Sequence, residues 1–244
     1  LMLGAMTGLE VPSESRRQPP RIAFSADLGD LPLDPEVEAA TTKAACLLSE
    51  AGWEVTEACP DLGGADSCFE DLRGLLQTFR LAPLLNDMRV KSTVRYEIEL
   101  GLSLTAERID RALATQKRIR ANWEQFFTEG GFSAFLSATS QVQPFPVGLE
   151  WVDEINGTLL DHYTHWMRSC SRITVTGAPA ASLPAGFTKV GLPVGVQFSA
   201  PSGDDVNLIS VLATAEEVFG PMPSPDIGSL STLKTETLPP GPLG

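Results

Sequence analysis

Residues Thr176 to Pro201 read TGAPAASLPAGFTKVGLPVGVQFSAP, with two short apolar, β-prone runs around a turn punctuated by Gly and Pro. The runs are Ala181-Ser182-Leu183-Pro184 and Val194-Gly195-Val196-Gln197-Phe198. Glycine lacks a Cβ and proline fixes φ, so residues of this kind let two strands approach closely. The segment is expected to be a buried hairpin. Gln197 is a polar residue in an otherwise apolar strand. If it is buried, its amide must be hydrogen-bonded, which would pin a neighbouring loop.

Upstream, the pattern alternates between strand and helix. Arg21 to Ser25 reads as a short strand. Asp34 can cap the next helix, with Pro35 at its first position and Glu36 and Glu38 at the positive end of the dipole. Val37, Ala40, Ala44, Leu47, Leu48 and Ala51 recur at helical spacing, and Gly52 ends the run. Trp53 to Ala58 reads as a strand. Strand–helix–strand of this length predicts a parallel crossover.

Residues 67–88 are predicted helical, with Phe69, Leu72, Leu75, Leu76 and Phe79 on one side. A long helix follows over about 105–129, its stripe made by Ile109, Ala112, Leu113, Ile119, Trp123, Phe126 and Phe127. Arg108, Arg111, Lys117, Arg118 and Arg120 lie mostly off that stripe and read as a solvated face. Residues 133–139 are expected as a strand, 151–169 as a helix and Asp205 to Phe219 as a final helix. The segment 170–176 is ambiguous. From Pro221 onward, Pro, Gly, Ser and Thr dominate, which predicts a disordered tail over 221–244.

The chain of 244 residues carries a net charge of −13. That charge opposes non-specific binding to nucleic acid or to an anionic membrane, since both need cationic patches. No run of about 18 apolar residues appears, so no membrane span is expected. Cys46, Cys59, Cys68 and Cys170 show no CxxC pairing. They read as free thiols in a reducing, cytoplasmic setting, with a Cys59–Cys68 disulfide left open. His162 and His165 stand at i, i+3, a spacing that can serve a metal, but no third ligand is evident and no metal or cofactor is expected. Asn156-Gly157-Thr158 matches a glycosylation sequon, which is read as a coincidence.

Gly177-Ala178-Pro179-Ala180-Ala181-Ser182-Leu183-Pro184-Ala185-Gly186, followed by Gly191-Leu192-Pro193-Val194-Gly195-Val196-Gln197, resembles the C-terminal signature of the amidase signature family, serine hydrolases that cleave carboxamides. The resemblance extends to Arg21-Ile22-Ala23-Phe24-Ser25 and to Leu31-Pro32-Leu33-Asp34-Pro35-Glu36-Val37. It extends also to Phe135-Leu136-Ser137-Ala138-Thr139 with Pro144-Phe145-Pro146-Val147-Gly148. Family members usually end that last strand with Pro-Thr, where this chain reads Ser137-Ala138. The resemblance implies an α/β fold, here a partial amidase-signature fold over residues 1–220 with a mixed, mostly parallel sheet flanked by helices. It also favours a helix over 170–176.

The family works through a Lys–Ser–Ser triad in its N-terminal half, with the nucleophile in a Gly-Gly-Ser-Ser-Gly-Gly-type loop. A serine hydroxyl is a weak nucleophile, so a neutral lysine must take its proton, and backbone N–H groups then hold the oxyanion. Here Gly63-Gly64 leads into Ala65-Asp66 and Gly130-Gly131 into Phe132-Ser133, neither with paired serines. No catalytic residue is assigned. Lys91 and Lys189 lack the Gly/Ser context of a catalytic base, and Ser182 fits a structural strand better than a nucleophile.

The expectation is a C-terminal part of an amidase that hydrolyses a small-molecule amide to acid and ammonia or amine. It would be inactive alone, its partner being the missing N-terminal half. Thr139, Gln143, Phe145, Trp166 and Cys170 are the expected substrate-binding residues, because they precede or flank the matched motifs. An apolar, aromatic wall of this kind suits an aryl or alkyl amide. Two alternatives remain. One is a non-catalytic scaffold derived from the same fold. The other is a subunit of a tRNA-dependent amidotransferase, although Met167-Arg168-Ser169-Cys170 and Thr176-Gly177-Ala178-Pro179 lack the acid and the Asn that such relatives usually carry.

Overall fold

The computed structural model describes residue 8 and residues 19–223. Most of the predicted tail, from residue 224 on, lies outside the described residues, as do residues 1–7 and 9–18. A five-stranded sheet forms the centre. Its strands are β1 (Arg21–Phe24), β2 (Glu54–Glu57), β3 (Ala134–Ala138), β6 (Ala180–Phe187) and β7 (Pro193–Ser199), in the order β2-β1-β3-β7-β6. β1 pairs in parallel with β2 and β3, whereas β7 runs antiparallel to both β3 and β6. All strands but β7 therefore point the same way, and the mixed, mostly parallel sheet matches the expectation.

Helices cover both faces. Strand side chains alternate between faces, so each strand feeds two cores. On one face Ile22, Ala134, Leu136, Val196 and Phe198 pack against Ala44, Ala45 and Leu48 of α1 (Pro35–Glu50) and Leu208, Val211 and Ala215 of α6 (Asp205–Phe219). On the other, Ala23 and Phe135 meet Cys68 of α2 (Ala65–Leu81), Ile119, Trp123 and Phe127 of α4 (Ala106–Gly130), and Ile173 and Val175 of α5 (Arg168–Thr176). Trp123 is fully buried, and its indole N–H donates to the Ala200 carbonyl at 3.1 Å, so the ring is both packed and satisfied.

Local signals act as read. Asp34 caps α1 by accepting from the Glu36 N–H at 2.8 Å, with Pro35 opening the helix. Thr105 caps α4 through the Arg108 N–H. The ambiguous segment 170–176 is helical, within α5. The two runs of the hairpin are β6 and β7, and Gln197 is buried. Its amide donates to Ser137 Oγ, to the Ala138 carbonyl and to the Ser169 carbonyl, tying the sheet to the start of α5.

Two segments differ from expectation. Residues 151–169 are not a helix. They hold a short hairpin, β4 (Glu154–Ile155) and β5 (Thr158–Leu159), and a 3₁₀ turn at His165–Met167, and α5 begins only at Arg168. Asn156 and Gly157 at the hairpin tip have φ of 47° and 79°, the left-handed pair that a two-residue turn demands. The sequon thus sits on this turn. The predicted 67–88 helix stops at Leu81, where Pro83 enters a 3₁₀ turn, Ala82–Leu84.

A further helix, α3 (Ser92–Ser103), lies against α2. A Cβ on Gly101 would stand 2.2 Å from the Gly74 carbonyl oxygen, so the two helices touch backbone to backbone. Inside this helical pair Glu97 is buried and takes hydrogen bonds from Arg73 at 2.5 Å and from the Tyr163 hydroxyl. All four cysteines are free, including Cys59 and Cys68.

Candidate functional site

The sheet is open, and in open α/β sheets ligands bind beyond the carboxyl ends of the strands. At that end of β3 the chain leaves the sheet at Thr139, beside the first residues of antiparallel β7 and next to β6. A cleft of about 600 Å³ opens there, lined on the strand side by Thr139, Ser182, Pro184, Val194 and Gly195 and on the loop side by Gln143, Phe145 and Trp166. Two other hollows are of similar size, about 640 Å³ at the end of α6 and about 590 Å³ beside Asp61 and Arg172. Size alone does not choose among them. The strand-end position and the uncharged, partly aromatic lining do.

Four of the five expected binding residues, Thr139, Gln143, Phe145 and Trp166, line this one cleft. Cys170 does not line it. Its thiol donates to the Thr139 carbonyl at 3.0 Å, beside the Ser169 hydroxyl at 2.9 Å, so it supports the strand end from behind. Burial of the thiol raises its pKa, which keeps it protonated as a donor.

Ser182 is on β6, as its strand reading implied, and it also faces the cleft. Nothing in the sequence spacing hints at this. Its hydroxyl lies 2.8 Å from that of Thr139. One hydroxyl of such a pair donates to the other, which leaves one proton free to meet a ligand acceptor. Phe145 and Trp166 meet edge to face, with centroids 5.4 Å apart. The Trp166 indole N–H is shielded from solvent and has no hydrogen-bond partner among the described residues.

The supports come from distant parts of the chain. Arg172 on α5 holds Asp66 of α2 through two 2.9 Å hydrogen bonds and also reaches Asp30. Burial works against its charge, but those carboxylates raise its pKa and keep it cationic. Tyr163 and His165 fasten the segment before α5 to the α2–α3 pair, His165 through Glu70 at 3.1 Å. His162 and His165 have ring centroids 5.9 Å apart, and among the described residues no group of His, Cys, Asp and Glu is placed to hold a metal ion. No ionisable side chain among the described residues lines the cleft. Lys91 pairs with Glu150 at 3.5 Å, and neither Lys91 nor Lys189 reaches the lining.

No helix among the described residues is long and apolar enough to cross a membrane. The amidase family model matches residues 5–209. An acylamidase of Rhodococcus erythropolis is 27% identical over 205 residues, covering 81% of this chain and 42% of that protein. An indoleacetamide hydrolase of Allorhizobium ampelinum is 29% identical over 147 residues, 59% of this chain and 32% of the relative. A glutamyl-tRNA(Gln) amidotransferase subunit of Clostridium acetobutylicum is 32% identical over 138 residues, 54% of this chain and 26% of its own length. Among solved structures, an amidase superimposes with a TM-score of 0.75 at 23% identity, covering 88% of this chain and 48% of its own. A bacterial aryl acylamidase gives 0.68 at 20% identity, over 82% and 44%. The chain thus spans less than half the length of each of these relatives. The family match over 5–209, the shared fold and the strand-end cleft agree, and the chain belongs to the amidase family.

Proposed function

We propose that this chain forms the substrate wall of a serine-dependent amidase acting on neutral aryl or alkyl carboxamides, with the Lys–Ser–Ser machinery supplied by polypeptide outside it. The observation that carries the reading is the uncharged cleft, in which hydroxyls, a side-chain amide and an aromatic pair converge without any general base among the described residues. Such a wall binds and orients an amide but cannot activate a nucleophile. In the complete enzyme a serine oxygen would attack the amide carbonyl. The C–N bond would break as the amine leaves with a proton, and water would then hydrolyse the acyl-serine ester. The name of the indoleacetamide hydrolase relative supports an aryl-sized substrate, and that of the acylamidase supports an amide.

The purified 244-residue chain should release no ammonia from benzamide or indole-3-acetamide. The product of a full-length gene should do so, and deletion of residues 130–200 should abolish it. Hydrolysis by this chain alone, blocked by a serine-directed reagent, overturns the reading. So does activity that survives the deletion.

The amidotransferase relative supports a second reading, a role in tRNA-dependent amidation. The net charge of −13 argues against this chain as the tRNA-contacting surface, because phosphate contacts need cations. Ammonia-dependent amidation of a charged tRNA by the full-length protein would favour it.

A further inference from the structure

Gln143 has one defined orientation, and Asp34 dictates it. The Gln143 Nε2 lies 3.0 Å from Asp34 Oδ2, and the other carboxylate oxygen of Asp34 takes the Glu36 N–H at 2.8 Å. A carboxylate accepts and cannot donate, so the atom of Gln143 that faces it must be the nitrogen. The loop that carries Gln143 is anchored on the same helix start. The Asp34 N–H donates to the Gln141 carbonyl at 2.8 Å. Gln141 is fully buried, donates to the Pro32 carbonyl at 3.1 Å and accepts from the Arg168 N–H at 2.7 Å. Gln143 therefore cannot exchange its two ends without moving the start of α1. Its oxygen takes no hydrogen bond from the described residues, and none of those that line the cleft carries a charge.

We propose that Asp34 is a positioning residue, holding Gln143 so that its oxygen selects ligands bearing an N–H donor. The cleft then prefers a carboxamide to a ketone or ester of the same shape, because an acceptor-only ligand sets one lone pair against another. The inference rests on the cleft being the carboxamide site proposed above and adds the group that distinguishes an amide from its isosteres.

Benzamide and acetophenone test it. They differ by NH₂ against CH₃, and neither needs to react. Ligand-observed NMR titration of the purified chain should give benzamide an affinity about five- to tenfold higher, the worth of one hydrogen bond plus the mismatch it avoids. In Asp34→Asn the new amide still accepts the Glu36 N–H but donates to Gln143 Oε1, turning Nε2 outward. The preference should fall to about one or invert while thermal unfolding is unchanged, since Asn caps a helix as well as Asp does. Gln143→Leu should bind both ligands with no preference, which keeps the test alive if the Asn variant fails to fold. Equal binding of the two ligands by the wild type, or a preference that survives in Asp34→Asn, overturns the proposal and leaves the cleft reading intact. Binding of neither ligand overturns the cleft reading and this proposal with it.

Discussion

Thr139, the residue just after β3, and Ser182 on β6 belong to segments that do not pair with each other, yet their hydroxyl oxygens lie 2.8 Å apart, joined over the backbone of β7. Gly195 makes that approach possible. A Cβ there would lie 2.8 Å from Ser182 Oγ and 3.4 Å from Thr139 Oγ1. Gly195→Ala is expected to rotate the Ser182 hydroxyl aside and break the pair. A serine rotamer yields easily, so stability should change by less than about 1 kcal/mol. Benzamide affinity should drop several-fold. Unchanged binding alongside an intact melting curve would show that the pair does not touch the ligand.

Gly101→Ala should behave in the opposite way. The new methyl would meet Gly74 backbone, which cannot rotate away, so α2 and α3 must part. Overpacking of this kind costs about 1–3 kcal/mol, and a backbone clash belongs at the upper end. Urea unfolding measures the loss. A variant as stable as the parent would mean that the helical pair yields without cost.

Gln197→Leu keeps volume and removes the three donations that tie β7 to Ser137, Ala138 and Ser169. Buried acceptors left without their donor cost about 1–3 kcal/mol. Because the same bonds locate Thr139 against the start of α5, ligand affinity should fall along with the unfolding midpoint. Loss of one without the other would separate the two roles.

Acid should weaken the fold through His162. Burial lowers its pKa below the ordinary 6.5. Glu70 opposes the shift, and His165 and Arg73 assist it. In the window between the depressed folded value and about 6.5 the unfolded chain binds the extra proton, so stability falls as pH falls through that window. Melting temperatures from about pH 7.5 down to about pH 5 should decline more steeply in the wild type than in His162→Gln. Parallel slopes would remove His162 as the cause.

The thiols should sort by exposure. Burial pushes the Cys59 thiol up to about 11 and raises that of Cys68 as well, whereas Cys46 is exposed; Cys170 is exposed as a residue, but desolvation at its sulfur raises that thiol too. Alkylation by iodoacetamide at about pH 8 should mark Cys46 first and reach Cys59 and Cys68 only on unfolding, as peptide mass mapping would show.

What can be read from residues alone is what local chemistry specifies. Asp34-Pro35 announces a helix start, Gly195 and Pro184 a close strand pair, and the 3.6-residue stripe from Ile109 to Phe127 a long helix. The stretch 151–169 misleads because its aromatic and apolar residues suggest a packed helix, while the decisive signal is the turn chemistry of Asn156-Gly157, which the sequon pattern masks. Helix α3 carries a weak stripe, and what fixes it is a backbone contact with α2 that no periodicity encodes. In the cleft, Thr139, Gln143, Phe145 and Trp166 flank recognisable motifs and come together. Ser182 and Asp34 cannot be paired with them in advance, because each acts across more than forty residues of chain. Cys170 is close in sequence to the same strand end, but its helix turns the thiol onto a carbonyl.

The two sides of the cleft are built differently. Ser182, Val194 and Gly195 belong to hydrogen-bonded strands and stay where the ladder puts them. Phe145 lies on irregular chain and Trp166 in the short 3₁₀ turn before α5, and the segment around Trp166 is held by side-chain bonds from Tyr163 and His165 to the α2–α3 pair. The cleft thus has one wall fixed by a strand ladder and one fixed only by side-chain bonds. If the cleft takes the amide proposed above, a bulkier one would have to displace the aromatic wall, and the α2–α3 pair would set how far that wall can yield.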